Sequence, residues 1–280
     1  MRLLPPKYTQ AIAVTLLGGA TLFTLAVLLF IIGFVLDKGL PAVGLSFLFS
    51  NPQDMGRAGG IFPTVIGTLL LPLLAIAIAL PLGVGTAVYL TEYTRESRVT
   101  AVIRFGTDCL AGIPSIIFGL FGFIFFVTML KMGWSLLSGG LTLAIMILPT
   151  IIRTTEEAIK AVPNAYREVS FSLGATRWET VRKVVLPNAL PGIVTGVMLG
   201  IGRCIGETAA VIFTAGSSLR LPNTPFDSVR TMAVHFYILA REGISNDNAY
   251  GTAAVLIIAV LTVNLIAYWL MHRFIAKRSR

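Results

Sequence analysis

Long apolar runs decide what this chain can become. Six stretches, approximately 12–36, 64–90, 105–130, 136–152, 191–215 and 250–271, approach the roughly 20 apolar residues that a helix needs to cross a hydrocarbon core. The fourth is the shortest. Lipid offers no water to an unpaired N–H or C=O, so such runs fold as helices. Charged residues make up 12% of the 280, against about 25% in an ordinary soluble domain. The expected fold class is an all-α integral membrane protein with six transmembrane helices. The first run follows Arg2 and Lys7, as a signal peptide would. It exceeds the usual ~7–15-residue signal core and no A-x-A-like site closes it, so it is expected to stay as the first helix.

The net charge of +9 is a statement about topology before it is one about partners. With both termini in the cytosol, fifteen of the 22 Lys and Arg fall on the cytoplasmic side and six outside, and Arg203 remains within a span. The cytoplasmic set includes Arg2, Lys7, Arg95, Arg98, Arg104, Arg153, Lys160, Arg167 and the tail residues Arg273, Lys277, Arg278 and Arg280. Orientation accounts for the charge, so no nucleic-acid partner is expected. Cys109 and Cys204 both lie in apolar runs and read as small buried side chains. His235 and His272 are too far apart in sequence for a metal-site spacing.

Two outside segments, about 37–63 and 216–249, are rich in Gly, Pro, Asn and Ser and read as loops. RAGGIFP (57–63) reads as a tight turn feeding the second span.

The segment EVSFSLGATRWETVRKVVLPNALPG (168–192) is charged where its surroundings are apolar. Pro163 suits a helix start, and Tyr166, Val169 and Leu173 then share a face. Gly174 fits a left-handed C-terminal cap. Thr176-x-x-Glu179 is a capping-box pattern that starts a second helix, with Trp178, Val181 and Val185 as its apolar stripe. Leu186-Pro187 is expected to end that helix. The periodicity fits either an amphipathic pair resting on lipid or a docking hairpin.

Spacing separates the two. Glu168, Gly174 and Val184-Val185-Leu186-Pro187 resemble the cytoplasmic signature E-A-A-x3-G-x9-I-x-L-P of binding-protein-dependent (type I) ABC importer permeases. Val169 and Ser170 replace the two Ala, and Val184 the Ile. The resemblance implies a helix-turn-helix insertion, 155–187, between helices 4 and 5. It would dock on an ATPase through Glu168, Gly174, Ala175, Thr176, Trp178, Leu186 and Pro187. It also implies a permease domain over 57–271, preceded by the first helix and loop (1–56) and followed by a basic tail (272–280). Residues 147–216, AGIPSIIFGLFG (111–122) and GGIFPTVIGT (59–68) further resemble A-type permease subunits of bacterial phosphate-specific ABC transporters, over roughly 56–271. The sister C-type subunit is similar here. The short N-terminus and long last outside loop favour the A-type.

What the resemblance implies is a permease subunit of the bacterial cytoplasmic membrane, importing phosphate by alternating access. Its partners would be a C-type permease half, two cytosolic ATPases, and a periplasmic or extracellular phosphate-binding protein received by the two outside segments. A sensor-kinase complex would be a further contact. ATP and Mg would be held by the ATPases. The chain itself has no G-x4-G-K-[ST] phosphate loop and is expected to bind no cofactor. Another oxyanion or small solute is the alternative cargo.

Three charged residues fall inside runs: Asp108, Arg203 and Glu207. A charge there is costly, so such residues face a pore or a partner. Arg203 and Glu207 are spaced i and i+4, which places them together on one helix face, either locking the bundle as a pair or lining the path. Guanidinium suits an oxyanion because it forks two N–H bonds onto it. The resemblance favours the path. Asp108 is expected to reach the cytoplasmic face or Arg104, and Gly112, Pro114 and Gly119 to kink or tighten the third span. An enzyme acting on a lipid phosphate would need paired carboxylates or His in a span, and the runs offer neither.

Overall fold

The computed structural model describes residues 6–94 and 97–276. Arg2, Arg95 and the tail residues Lys277, Arg278 and Arg280 of the expected charge map lie outside them. Twelve α-helices carry the described chain. Helix α1 (Pro6–Gly39) leads through a helical turn to α2 (Leu45–Phe49). A two-residue antiparallel ladder pairs Pro52 with Gly59 and Gln53 with Ala58. Gly59 there has φ +81°, so the RAGGIFP turn needs its glycine. Next come α3 (Phe62–Val88), α4 (Arg98–Ala111), α5 (Ser115–Gly122), α6 (Leu136–Lys160) and α7 (Asn164–Ser172). They are followed by α8 (Arg177–Thr180), α9 (Leu186–Ile205), α10 (Ala209–Thr214), α11 (Met232–Arg241) and α12 (Asn246–Ala276).

Among the described residues, five helices are long and apolar enough to cross a membrane, and α4 with the α5 segment makes a sixth if that bent pair is one span. The protein is an all-α, multi-pass membrane protein.

The core is where α3, α6 and α9 cross. Leu71, Ala75 and Ala79 of α3 pack on Leu143, Met146, Ile147 and Ile151 of α6, with Phe118 of α5 and Val211 of α10 closing the cluster. Small residues let the backbones meet, as lipid-embedded helices require. A Cβ on Gly192 would strike Ala158, and one on Gly196 would strike Thr154 Oγ1. Gly200, four residues on, faces Ile147. This four-residue glycine stripe seats α9 along α6. By contrast α1 lies outside the bundle and packs on α12, where Gly39 sits against the Tyr250 carbonyl and Ala254.

The third run is not one straight helix. It breaks between Ala111 and Ser115, and the two halves meet at 101°. Pro114 lacks an N–H and bars Ile113 from helical geometry, so the break falls there. Gly119 approaches the α10 backbone at Ala210, whereas Gly112 has no close neighbour helix. The fourth run extends well past 152, to Lys160. The 216–249 segment is not all loop: α11 buries Met232, Ala233, Val234, His235 and Leu239. Cys204 is buried as expected, but Cys109 is exposed.

Candidate functional site

The hairpin of α7 and α8 caps the ends of α3 and α6. Its turn is a Schellman motif: the Gly174 N–H donates to Phe171 O at 2.9 Å, and the Ala175 N–H to Ser170 O at 3.2 Å. Gly174 has φ +81°, the left-handed region that favours glycine. The expected capping box is present. The Glu179 N–H donates to Thr176 Oγ1 at 3.3 Å, and the Thr176 N–H to Glu179 Oε2 at 3.0 Å. A Ser170–Thr180 hydroxyl pair at 2.8 Å ties the two helices together.

Leu186-Pro187 does not end the second helix. Arg177–Ile205 is one rod, with a π-helical turn over Val181–Val185. Pro187 has no N–H for the carbonyl one turn back, and the wider turn before it absorbs that gap. Asn188 Nδ2 donates to the Val184 carbonyl at 2.6 Å. The same turn directs Val181 and Val185 inward. They pack with Ala87 and Val88 of α3, Ile159 and Val162 at the end of α6, and Ala189 and Ile193 of α9. Burying each valine is worth about 1.5–3 kcal/mol. The hairpin root is therefore continuous with the bundle.

The hairpin tip is the opposite. Glu168, Gly174, Thr176 and Trp178 are exposed, while Ala175, Leu186 and Pro187 are half-buried. So the sequence-selected residues divide: the first group, with Ala175, forms the outer surface, and Leu186-Pro187 sits at the root. Tyr166, Val169, Phe171, Leu173 and Trp178 are all exposed, Leu173 at 83%. Such a concentration of large apolar side chains on a short hairpin marks an interaction surface.

Arg167 joins hairpin to bundle. Its Nη2 donates to Glu92 Oε1 at 2.7 Å, and its Nη1 to the Val162 carbonyl at 2.8 Å. Sequence reading counted Arg167 as a topology charge and passed over Glu92.

A second set of charges links α4 to α6. Glu156 Oε1 lies 2.8 Å from Arg104 Nε and 2.7 Å from Lys160 Nζ. Asp108 meets Arg153, at 2.8 Å, rather than Arg104. These groups line a cleft of about 180 Å³.

The fifth run holds the second candidate region. Helix α9 ends at Ile205, Gly206 caps it, and α10 starts at Ala209. Arg203 and Glu207 therefore do not share a continuous helix face. The helix stops at Gly206, and Glu207 lies beyond it in the unwound Glu207-Thr208 segment. Glu207 turns to the new helix instead, its Oε1 accepting from the Ala210 N–H at 3.2 Å. Arg203 is half-buried and makes no side-chain hydrogen bond or ion pair among the described residues. The locking pair is absent. Non-helical backbone within a membrane span is tolerated where it is buried in protein or lines a cavity. Here a groove of about 1030 Å³ begins beside it at Thr208 and runs along α10 to Ser217 and Arg241, at the end opposite the hairpin.

A multi-pass bundle whose α9 rod ends just past Arg203, with an exposed apolar hairpin rooted in the same rod, has the form of a transport permease. Residues 79–280 match the binding-protein-dependent transport system inner membrane component model, and the chain belongs to that family. It is 34% identical to the probable ABC transporter permease protein YqgI of Bacillus subtilis, over 94% of this chain and 95% of that one. To the phosphate transport system permease protein PstA of Pasteurella multocida it is 35% identical, over 93% of this chain and 94% of that one. In fold it resembles a bacterial alginate ABC transporter (TM-score 0.70, 16% identity, 95% and 96% of the two chains). It likewise resembles the MetNI methionine ABC transporter (TM-score 0.62, 20% identity, 77% and 94%). The chain is thus an ABC importer permease subunit and not an enzyme.

Proposed function

We propose that this subunit moves inorganic phosphate across the bacterial cytoplasmic membrane by alternating access, with Arg203 and Glu207 on the path. The observation that carries the reading is Arg203, without a side-chain partner among the described residues, beside the break between α9 and α10. A half-buried guanidinium with no carboxylate is a site for an anion in transit. Glu207, one turn away, keeps that site from holding its cargo tightly, and a transporter must release what it binds. The name of the Pasteurella multocida relative supports phosphate as the cargo.

The hairpin docks a cytosolic ATPase through Glu168, Gly174, Ala175, Thr176 and Trp178 and passes its closure to α9 through the rooted Leu186-Pro187 segment. ATP and Mg belong to that partner. A second permease half completes the path, and a phosphate-binding protein delivers to the opposite end. The termini are then cytoplasmic, on the hairpin side.

Labelled-phosphate uptake in cells lacking this gene, complemented at equal membrane levels, tests the reading. The wild type restores uptake and Arg203→Gln does not. Restoration by both would remove Arg203 from the path. Restoration by neither, with sulfate uptake restored by the wild type, would overturn the cargo.

A further inference from the structure

The groove beside α10 is uneven in its chemistry. Most of its wall is apolar, from Ile116, Leu120, Phe123, Ile212 and Phe213. Its polar groups gather at the ends: Thr208, next to Glu207, at the inner one, and Ser217, Ser218, Ser228, Tyr237 and Arg241 at the outer one. An apolar corridor does not draw in an anion. Something at its polar outer end must.

Arg241 stands there exposed. Its Nη1 donates to Tyr237 Oη at 3.1 Å and its guanidinium lies 5.7 Å from the centre of the Tyr237 ring. It has no carboxylate within 4 Å among the described residues. The tyrosine holds the planar fork in place and leaves its other N–H groups free. Behind this end lies a second arginine. Arg230 is 5% exposed, and its Nε donates to the Ser217 carbonyl at 2.8 Å. Its Nη1 lies 3.3 Å from His235 Nδ1. Arginine only donates, so Nδ1 accepts and the His235 ring is neutral, with its proton on Nε2. Among the described residues Arg230 also has no carboxylate within 4 Å. Glu242 acts on it from farther away. Buried charges are normally paired, and this one is held by neutral acceptors alone. Ser228 Oγ donates to the Ala215 carbonyl at 2.9 Å, and Gly216 takes φ +86°, so the serine loop in front of Arg230 is fixed.

We infer that the outer end of this groove is a loading port for the oxyanion, with Arg241 as the residue that touches it. Arg230 is a positioning charge, which holds the Ser217 loop and adds a positive field behind it. The anion passes from Arg241 along the apolar wall to Arg203. The inference rests on the phosphate path proposed above.

The test uses the whole transporter, reconstituted in vesicles with its ATPase and binding-protein partners. Two quantities are read: phosphate delivered per ATP hydrolysed, and the concentration of phosphate-loaded binding protein that half-saturates ATPase stimulation. Arg241→Gln lowers delivery per ATP by about tenfold, the scale of one charge-assisted hydrogen bond, and leaves half-saturation unchanged. Arg241→Lys restores part of the loss. A wild-type delivery ratio in Arg241→Gln overturns the port. So does a shift in half-saturation alone, which makes Arg241 a docking contact for the binding protein. Arg203→Gln measured in parallel separates the readings. If it is inactive while Arg241→Gln is normal, only the port fails. If both transport normally, the path fails with it.

Discussion

Arg167 and Glu92 meet as a forked ion pair across 75 positions of sequence, with Nη2 and Nε 2.7 and 3.1 Å from the same carboxylate oxygen. Both side chains are largely shielded, 15% and 10% exposed. The same guanidinium also takes the Ile159 carbonyl at 3.0 Å. One side chain thus fastens α7 to the π-helical turn Tyr89–Tyr93 that continues α3, and to the C-terminal carbonyls of α6, where cations are favoured. Among the described residues the hairpin has few other polar ties to the bundle.

Removing one member of a shielded pair costs about 3–5 kcal/mol, because the other charge is left behind. Arg167→Met should therefore loosen the hairpin without unfolding the core. Amide exchange over 164–180 should rise in the variant, while exchange in α6 stays slow. In the assembled transporter, ATP hydrolysis should continue with little phosphate moved. Unchanged exchange in the hairpin would dismiss Arg167 as its anchor.

The turn at Gly174 offers a separate test, because conformation and space are decoupled there. A Cβ at this position has nothing within 4 Å. The whole cost of a side chain is its left-handed backbone, about 1–2 kcal/mol for an ordinary residue. Asn tolerates that region, so Gly174→Asn should keep coupling near the wild type and Gly174→Val should impair it. Gly174→Leu should behave as Gly174→Val. Equal activity of Asn and Val variants would show that the turn geometry does not matter.

Much of this was legible in the sequence, for identifiable reasons. The hairpin turn was readable because Gly174 and Thr176-x-x-Glu179 carry local instructions that need no tertiary partner. The spans were readable because lipid enforces one apolar length. What failed was continuity. Leu186-Pro187 looked like a stop, but a π turn three-dimensionally supported by α3 and α6 carries the helix through it. Arg203 and Glu207 looked like one face, but an unwound segment at Gly206 turns Glu207 onto the next helix. Arg167 and Glu92 were invisible as a pair since nothing local joins them. The glycine stripe on α9 went unread although its four-residue spacing stands in the sequence, because only the packing reveals its partner.

His235 links the loop end to pH. It is fully buried, with Arg230 beside it and Gly56 pressed against its ring. Burial first, and the neighbouring Arg230 charge second, push its pKa from 6.5 down to about 4. The folded form holds the ring neutral while the unfolded form takes up a proton below pH 6.5. Stability is therefore full above that pH and falls as pH drops toward 4, by about 3 kcal/mol over the whole interval. Thermal melts of the purified protein between pH 7.5 and 4.5 should show this decline, and His235→Gln should flatten it. A variant with the wild-type slope would place the titration elsewhere.

The glycine stripe sets where Arg203 stands. Gly196 packs on Thr154 and Gly192 on Ala158, so α9 puts no side chain of its own between itself and α6 at these positions. Arg203 follows on the same helix, within two turns of Gly196. Forcing a larger residue into such a contact costs about 1–3 kcal/mol and shifts backbone as well as side chains. Gly196→Val should push the helices apart and displace Arg203 from the broken span. Thr154→Ala in the same chain removes the opposing hydroxyl and should recover part of the loss. The pair is to be measured by thermal stability and by phosphate uptake together. Recovery of stability with no recovery of uptake would show that Thr154 does more than pack. Recovery of neither would move the fault away from this crossing, and the placement of Arg203 would then have to depend on α10 and Glu207 instead.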